Sequence, residues 1–189
     1  MARFFRSKPL VSLRETVIFA MLGTIMFLGD ILMEWAPNIH FVGLFTVVYT
    51  LVYRSKALIP LYIYVFLNGL YAGFSMWWFP YTYIFTTLWV IVMLLPRNRS
   101  VSIMAIIYSL VCGLHGFAFG ALYAPAQALM FGFDLKTTLA WIASGIPFDI
   151  LHGVGNLAAS VIIVPMVLLL SRLEKKAPPF RLHSKKTSS

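Results

Sequence analysis

Apolar positions run through the chain in six blocks, about 15–35, 40–53, 57–74, 80–95, 101–124 and 147–171, each closed by charged or turn-forming residues. Each block is predicted to be a helix, because backbone amides and carbonyls in hydrocarbon must find their partners within the segment. The second and fourth, at 14 and 16 residues, fall short of the ~20 that cross a ~30 Å core. They are expected to borrow flanking residues or to sit where the bundle thins the bilayer. The basic stretch 1–14 precedes an apolar block too long for a signal-peptide core and without a small-residue cleavage pattern, so the first helix is expected to be retained.

Charge completes the topology. Of fifteen Lys and Arg, fourteen lie before the first block, between the second and third, between the fourth and fifth, or after the sixth. Only Lys136 lies on the other side. The positive-inside rule then places both termini in the cytoplasm and requires an even number of crossings. The expectation is an all-α integral membrane protein, a six-transmembrane-helix bundle over 15–173, in a prokaryotic plasma membrane. A basic cytoplasmic segment 1–14 precedes it, and a basic disordered tail 174–189 follows as a topology anchor or a contact for anionic lipid. A composition of 60% hydrophobic and 11% charged residues excludes an ordinary soluble domain. A net charge of +9 spread between apolar blocks, not over a folded face, excludes a nucleic-acid-binding domain. Cys112 is the single cysteine, so no internal disulfide exists.

Candidate chemistry gathers at the outer ends. The sixth block opens Pro147-Phe148-Asp149-Ile150-Leu151-His152, and Asp149, His152 and Asn156 share one helix face. Polar side chains there are costly toward lipid and are expected to point into the bundle. Asp149, just after Pro147, reads either as a ligand contact or as a cap of the helix that begins there. In the fifth block His115 and Tyr123 lie on one stripe, and Gly116, Gly120 and Ala124 form a small-residue stripe suited to close helix packing. His115 is open to two readings, a satisfied core histidine or a ligand contact. Glu34, Asn68, Gln127 and the aromatics Trp77, Trp78, Tyr81 and Tyr123 complete an outer pocket for a flat heterocycle, although interfacial anchoring explains many such rings. Ser144 lacks the turn of a serine nucleophile. Asp149 with His152 is two ligands, too few for a metal. With no phosphate-binding glycine loop, any ATP must be hydrolysed elsewhere. No cofactor and no catalytic residue is expected.

The segment Pro147-Phe148-Asp149-Ile150-Leu151-His152-Gly153 resembles the Pro-Phe-Asn-Leu-Ile-Lys-Gly start of the last helix in riboflavin-type S components of energy-coupling factor (ECF) transporters, the vitamin-uptake relatives of ABC importers. Six helices, cytoplasmic termini and the short basic turn Arg54–Lys56 extend the resemblance over about 15–173. The resemblance implies a substrate-binding membrane subunit that captures a vitamin or nitrogen heterocycle. Its partners would be a transmembrane coupling subunit and two cytoplasmic ATPases. In that family the Asn and Lys positions face the ligand, which implies Asp149 and His152 here, and Asn68 resembles another such position. The family's Ala-xxx-Ala docking stripe is matched by Ala20-xxx-Thr24 with Gly23 beside it. The competing reading is an intramembrane enzyme or accessory membrane protein with a polar site on the fifth and sixth blocks.

Overall fold

The computed structural model describes residues 10–36, 38–96, 98–176 and 178–180; most of the two basic terminal segments, and Arg97, lie outside it. Its elements are helices: α1 (Leu13–Leu32), α2 (Val42–Tyr53), a 3₁₀ turn (Arg54–Ala57), α3 (Leu58–Ala72), α4 (Tyr81–Leu94), α5 (Val101–Phe117), α6 (Phe119–Phe131), α7 (Leu135–Ser160) and α8 (Ile163–Leu173). The helix starts are chemically marked. Ser12 and Glu15 form a reciprocal capping box on α1, with Glu15 N–H donating to Ser12 Oγ at 3.2 Å and Ser12 N–H to Glu15 Oε2 at 3.0 Å. Asp134 Oδ1 accepts from Thr137 N–H at 2.7 Å to open α7.

Every residue of α2 is buried. A helix apolar all round belongs at the centre of a bundle, and its threonines are made compatible by turning their hydroxyls onto their own helix. Thr46 donates to the Val42 carbonyl at 2.8 Å and Thr50 to the Thr46 carbonyl at 2.6 Å. Around it the order of contacts shows how the chain runs. Tyr53 at the end of α2 meets Phe19 near the start of α1, and Tyr49 donates to the Leu22 carbonyl, so α2 is antiparallel to α1. Lys56 then pairs with Glu15, and Tyr64 reaches Asp30, so α3 is parallel to α1. The 31 apolar residues Val42–Ala72 therefore turn back on themselves at Arg54. The guanidinium of Arg54 donates to the Met93 carbonyl at the end of α4 and its carbonyl accepts from Trp89 Nε1.

The same contacts gather the basic segments at one end. Arg14 pairs with Glu174 at 3.2 Å, and Asn98 N–H donates to the Pro179 carbonyl. Among the described residues, three helical stretches have the length and apolar composition of a membrane crossing, Leu13–Leu32, Val42–Ala72 (its two antiparallel arms taken together) and Val101–Phe131, and α7 with α8 makes a fourth if their 51° bend falls within one crossing.

Two expectations are corrected. The fifth block does not end near 124: it breaks at Ala118 and resumes as α6 to Phe131. Nor does the sixth begin at Pro147, because α7 starts twelve residues earlier at Leu135 and carries Pro147 in its interior. The region 125–146, between the fifth and sixth apolar blocks, is not an outer loop. It forms most of an α6/α7 hairpin, closed by Gly132 at φ +68.

Candidate functional site

The α5/α7 seam sets the geometry of the site. A Cβ on Gly116 would lie 2.8 Å from the Gly153 Cα and the His152 carbonyl, and one on Gly113 would lie 2.5 Å from the Leu157 side chain. Only glycine permits backbones this close. The contact brings the polar face of α7 against α5, where Asn156, 1% exposed, donates from Nδ2 to the Cys112 carbonyl at 3.1 Å.

Asp149 does not cap its own helix. It projects from the middle of α7 and accepts, through Oδ1, the Gly120 N–H at 2.9 Å. Gly120 is the second residue of α6, whose first amides have no partner within that helix. The carboxylate thus serves the neighbouring helix and meets its positive end. Glycine is required here as well, since a Cβ on residue 120 would lie 2.5 Å from Asp149 Oδ2.

One turn on, His152 Nε2 is hydrogen-bonded to Nε2 of His40, which lies just before α2. One ring of this pair donates and the other accepts, so a single proton is shared between the two Nε2 atoms. His115 Nε2 lies 3.0 Å from the Ile84 carbonyl. Because a carbonyl only accepts, that nitrogen carries the proton. His115 is therefore a satisfied core histidine tying α5 to α4. Phe119 lies over the His152 ring at 4.4 Å between centroids, and Tyr123 stacks on Trp141 at 6.0 Å. Between these rings, Asn38, Gly120, Gly145, Phe148 and Asp149 is a cavity of about 170 Å³. Among the described residues, Nδ1 of His40 and Oδ1 of Asn156 are buried without a hydrogen-bond partner.

The remaining expected contacts separate from this cavity. Asn68 belongs to a second polar knot, donating to Asp30 Oδ2 at 3.0 Å and to Tyr64 Oη at 3.1 Å, while Tyr64 donates to the same Asp30 oxygen at 2.9 Å. Phe85 joins the two regions, with Tyr64, Tyr81, His40 and Phe119 around it. Tyr81 thus lies between the knot and the cavity. Trp78 is not a closing element over the cavity. Its indole N–H donates to the Val65 carbonyl at 2.7 Å and its ring packs on Phe74, fixing the 73–80 turn on α3. Trp77 contributes its carbonyl, which accepts from Tyr123 at 2.8 Å, and its ring meets Tyr81. Glu34 is exposed in the turn after α1 and does not line the cavity.

On α1, Ala20 and Thr24 face outward, with the Thr24 hydroxyl returned to the Ala20 carbonyl. Gly23 is used within the chain: a Cβ there would lie 2.6 Å from Ile63 and 2.9 Å from the Pro60 carbonyl of α3. It is therefore not part of an external docking surface. Among the described residues, no three or more His, Cys, Asp or Glu come together as metal ligands do.

His40 and Asp30 are the site residues that the residue pattern alone did not single out. The available signal was a carboxylate inside an apolar block and a histidine at the edge of one, both expensive positions unless paired. Comparison with known proteins finds no matching protein-family model, no matching curated protein and no matching solved structure.

Proposed function

We propose that the chain is the substrate-specific membrane subunit of an ECF-type importer, with six passes and both termini in the cytoplasm. It captures a vitamin-like nitrogen heterocycle from outside for uptake driven by partner ATPases. The observation that carries this reading is the cavity at Asp149 and His152. It is walled by Phe119, Tyr123 and Trp141 and lies at the end of the bundle away from the basic turns. Aromatic walls with a few convergent polar groups suit a flat ligand fixed by hydrogen bonds, and a carboxylate favours one that offers donors or positive charge. The pocket is small beside the several hundred Å³ of typical ligand sites, so binding is accompanied by movement of the surrounding rings.

Two measurements test the reading. Cysteine placed at Asp134, with Cys112 replaced, is expected to react with a membrane-impermeant thiol reagent in intact cells, and cysteine at Arg54 to react only after permeabilisation. Labelling of position 54 from outside would overturn the proposed topology. For assembly, Ala20→Leu with Thr24→Leu places two bulky groups on the outward face of α1. The pair is expected to abolish copurification with a coupling subunit and its ATPases, while the solitary protein still retains a small heterocycle detectable by mass spectrometry. If the parent chain copurifies with no ATPase and retains no small molecule, the importer reading is wrong.

A further inference from the structure

At the basic end of the bundle, α1 and α8 leave a groove of about 330 Å³ that the proposed importer function does not use. Ile18, Met21 and Ile25 form one wall, Leu170 and Leu173 the other, with Tyr53 at its end. Arg14 stands at the mouth. From Arg14 to Ile25 is eleven residues of helix, about 16 Å at 1.5 Å per residue. That is half of a ~30 Å hydrocarbon core. The groove has the length of one leaflet and carries cations only at its headgroup end.

The mouth is built from several elements. Arg14 pairs with Glu174 at 3.2 Å; Tyr53 donates to the other oxygen of Glu174 at 3.3 Å; Lys176 Nζ lies 4.7 Å over the Tyr53 ring. Arg172 and Lys175 are exposed on the last turns of the same chain end. Glu174 is the single carboxylate among these groups, since Glu15 is paired with Lys56. One acid thus stands at the mouth with Arg14 paired to it and Arg172, Lys175 and Lys176 within two residues of it in sequence. The turn that delivers them is held in an unusual conformation. Lys176 N–H donates to the Ser171 carbonyl and Lys175 N–H to the Arg172 carbonyl, closing α8 with Lys175 at φ +53. Glycine or asparagine ordinarily fills this left-handed position. A lysine keeps the conformation and adds a charge.

We infer that this groove is a binding site for an anionic phospholipid of the cytoplasmic leaflet, with one acyl chain along α1 and α8 and the phosphate between Arg14 and Lys176. The inference rests on the membrane placement proposed above and needs neither the nutrient nor the coupling subunit. Each basic side chain at an anionic surface is worth about fivefold in affinity, so two engaged cations should give a preference of at least tenfold over a zwitterionic lipid.

The test uses the full chain with Met21→Trp as a reporter on the exposed wall, reconstituted in phosphatidylcholine vesicles. Brominated phosphatidylglycerol or brominated phosphatidylcholine is added as a minor component, and quenching of the parent chain's own tryptophans is subtracted. Phosphatidylglycerol is expected to quench the reporter at a tenfold or more lower mole fraction than phosphatidylcholine. Lys176→Gln, a change at an exposed position, should lower that preference by about fivefold, and Leu170→Phe, which fills the groove, should weaken quenching by both lipids. Equal quenching by the two lipids would overturn the inference, as would a preference untouched by Lys176→Gln. So would exclusion of both lipids by a second copy of the chain, seen as a dimer by native mass spectrometry. Copurification with ATPases or retention of a heterocycle is unaffected by any of these outcomes, so failure here and failure of the importer reading are told apart.

Discussion

Gly116→Ala is expected to destabilise the protein by about 2–3 kcal/mol, and Gly116→Leu to prevent recovery of folded protein from the membrane. The added Cβ meets backbone, the Gly153 Cα and the His152 carbonyl at 2.8 Å each, and backbone cannot swing aside as a side chain can. Overpacking of this kind costs about 1–3 kcal/mol where neighbours adjust and more where they do not. Little else compensates, because separating α5 from α7 into lipid exposes no apolar surface to water. Helices in a membrane are held by close packing and interhelical hydrogen bonds, and a gap here also parts Asn156 from Cys112. Gly145 is the control. It lies within α7 with nothing within 4 Å of its missing Cβ, so Gly145→Ala should be stabilising by up to about 1 kcal/mol through helix propensity alone. Thermal unfolding in one detergent compares the two. A Gly116→Ala protein that melts like the parent would mean the seam is looser than described.

The second large effect is at Asp149, where capping and ligand binding predict different responses to two substitutions. Asp149→Asn keeps an oxygen that can accept from Gly120 N–H, so the start of α6 remains served and the melting temperature should change little. Charge is lost. A ligand donor or cation facing the carboxylate then loses about 1.5–3 kcal/mol, roughly tenfold to a hundredfold in dissociation constant. Asp149→Ala removes the acceptor as well and should cost a further ~1 kcal/mol of stability. Calorimetric titration with whatever heterocycle the purified protein retains, alongside the melting curves, separates the roles. Unchanged affinity in Asp149→Asn would remove the residue from the site and leave it as a cap for α6.

The helical architecture was legible because the runs that end at Arg54, Leu95 and Arg172 are long, apolar and closed by charge. The turn at 54–57 and the bounds of α4 lie within a residue or two of the hydropathy pattern. What the pattern could not reveal was anything decided by a second helix. Pro147 after a Gly-containing stretch has the local signature of a helix start, yet α7 runs through it because α6 packs alongside. Asp149 has the local signature of an N-cap, and it caps another helix, α6, by accepting the N–H of Gly120, 29 residues earlier. Asp30 and His40 lie in apolar surroundings with no partner nearby in sequence. Tyr64, Asn68 and His152, which hydrogen-bond to them, arrive from α3 and α7. Trp78 illustrates the converse: an interfacial tryptophan whose N–H is already committed to Val65 has no free donor for a ligand.

The α6/α7 hairpin is interrupted in both arms at one level. The α5 helix stops at Phe117 and α6 begins at Phe119. Directly across, Pro147 has no N–H to give the carbonyl of Ala143, and the Asp149 to Gly120 hydrogen bond ties the two interruptions together. A helical rod resists bending through its ladder of amide bonds, and here both rods lack rungs side by side. The outer part of the hairpin is thus mounted on a crease, with the bond as its pin. Because the cavity lies along that crease, a change in fold angle there would open or narrow it without parting Gly116 from Gly153 below.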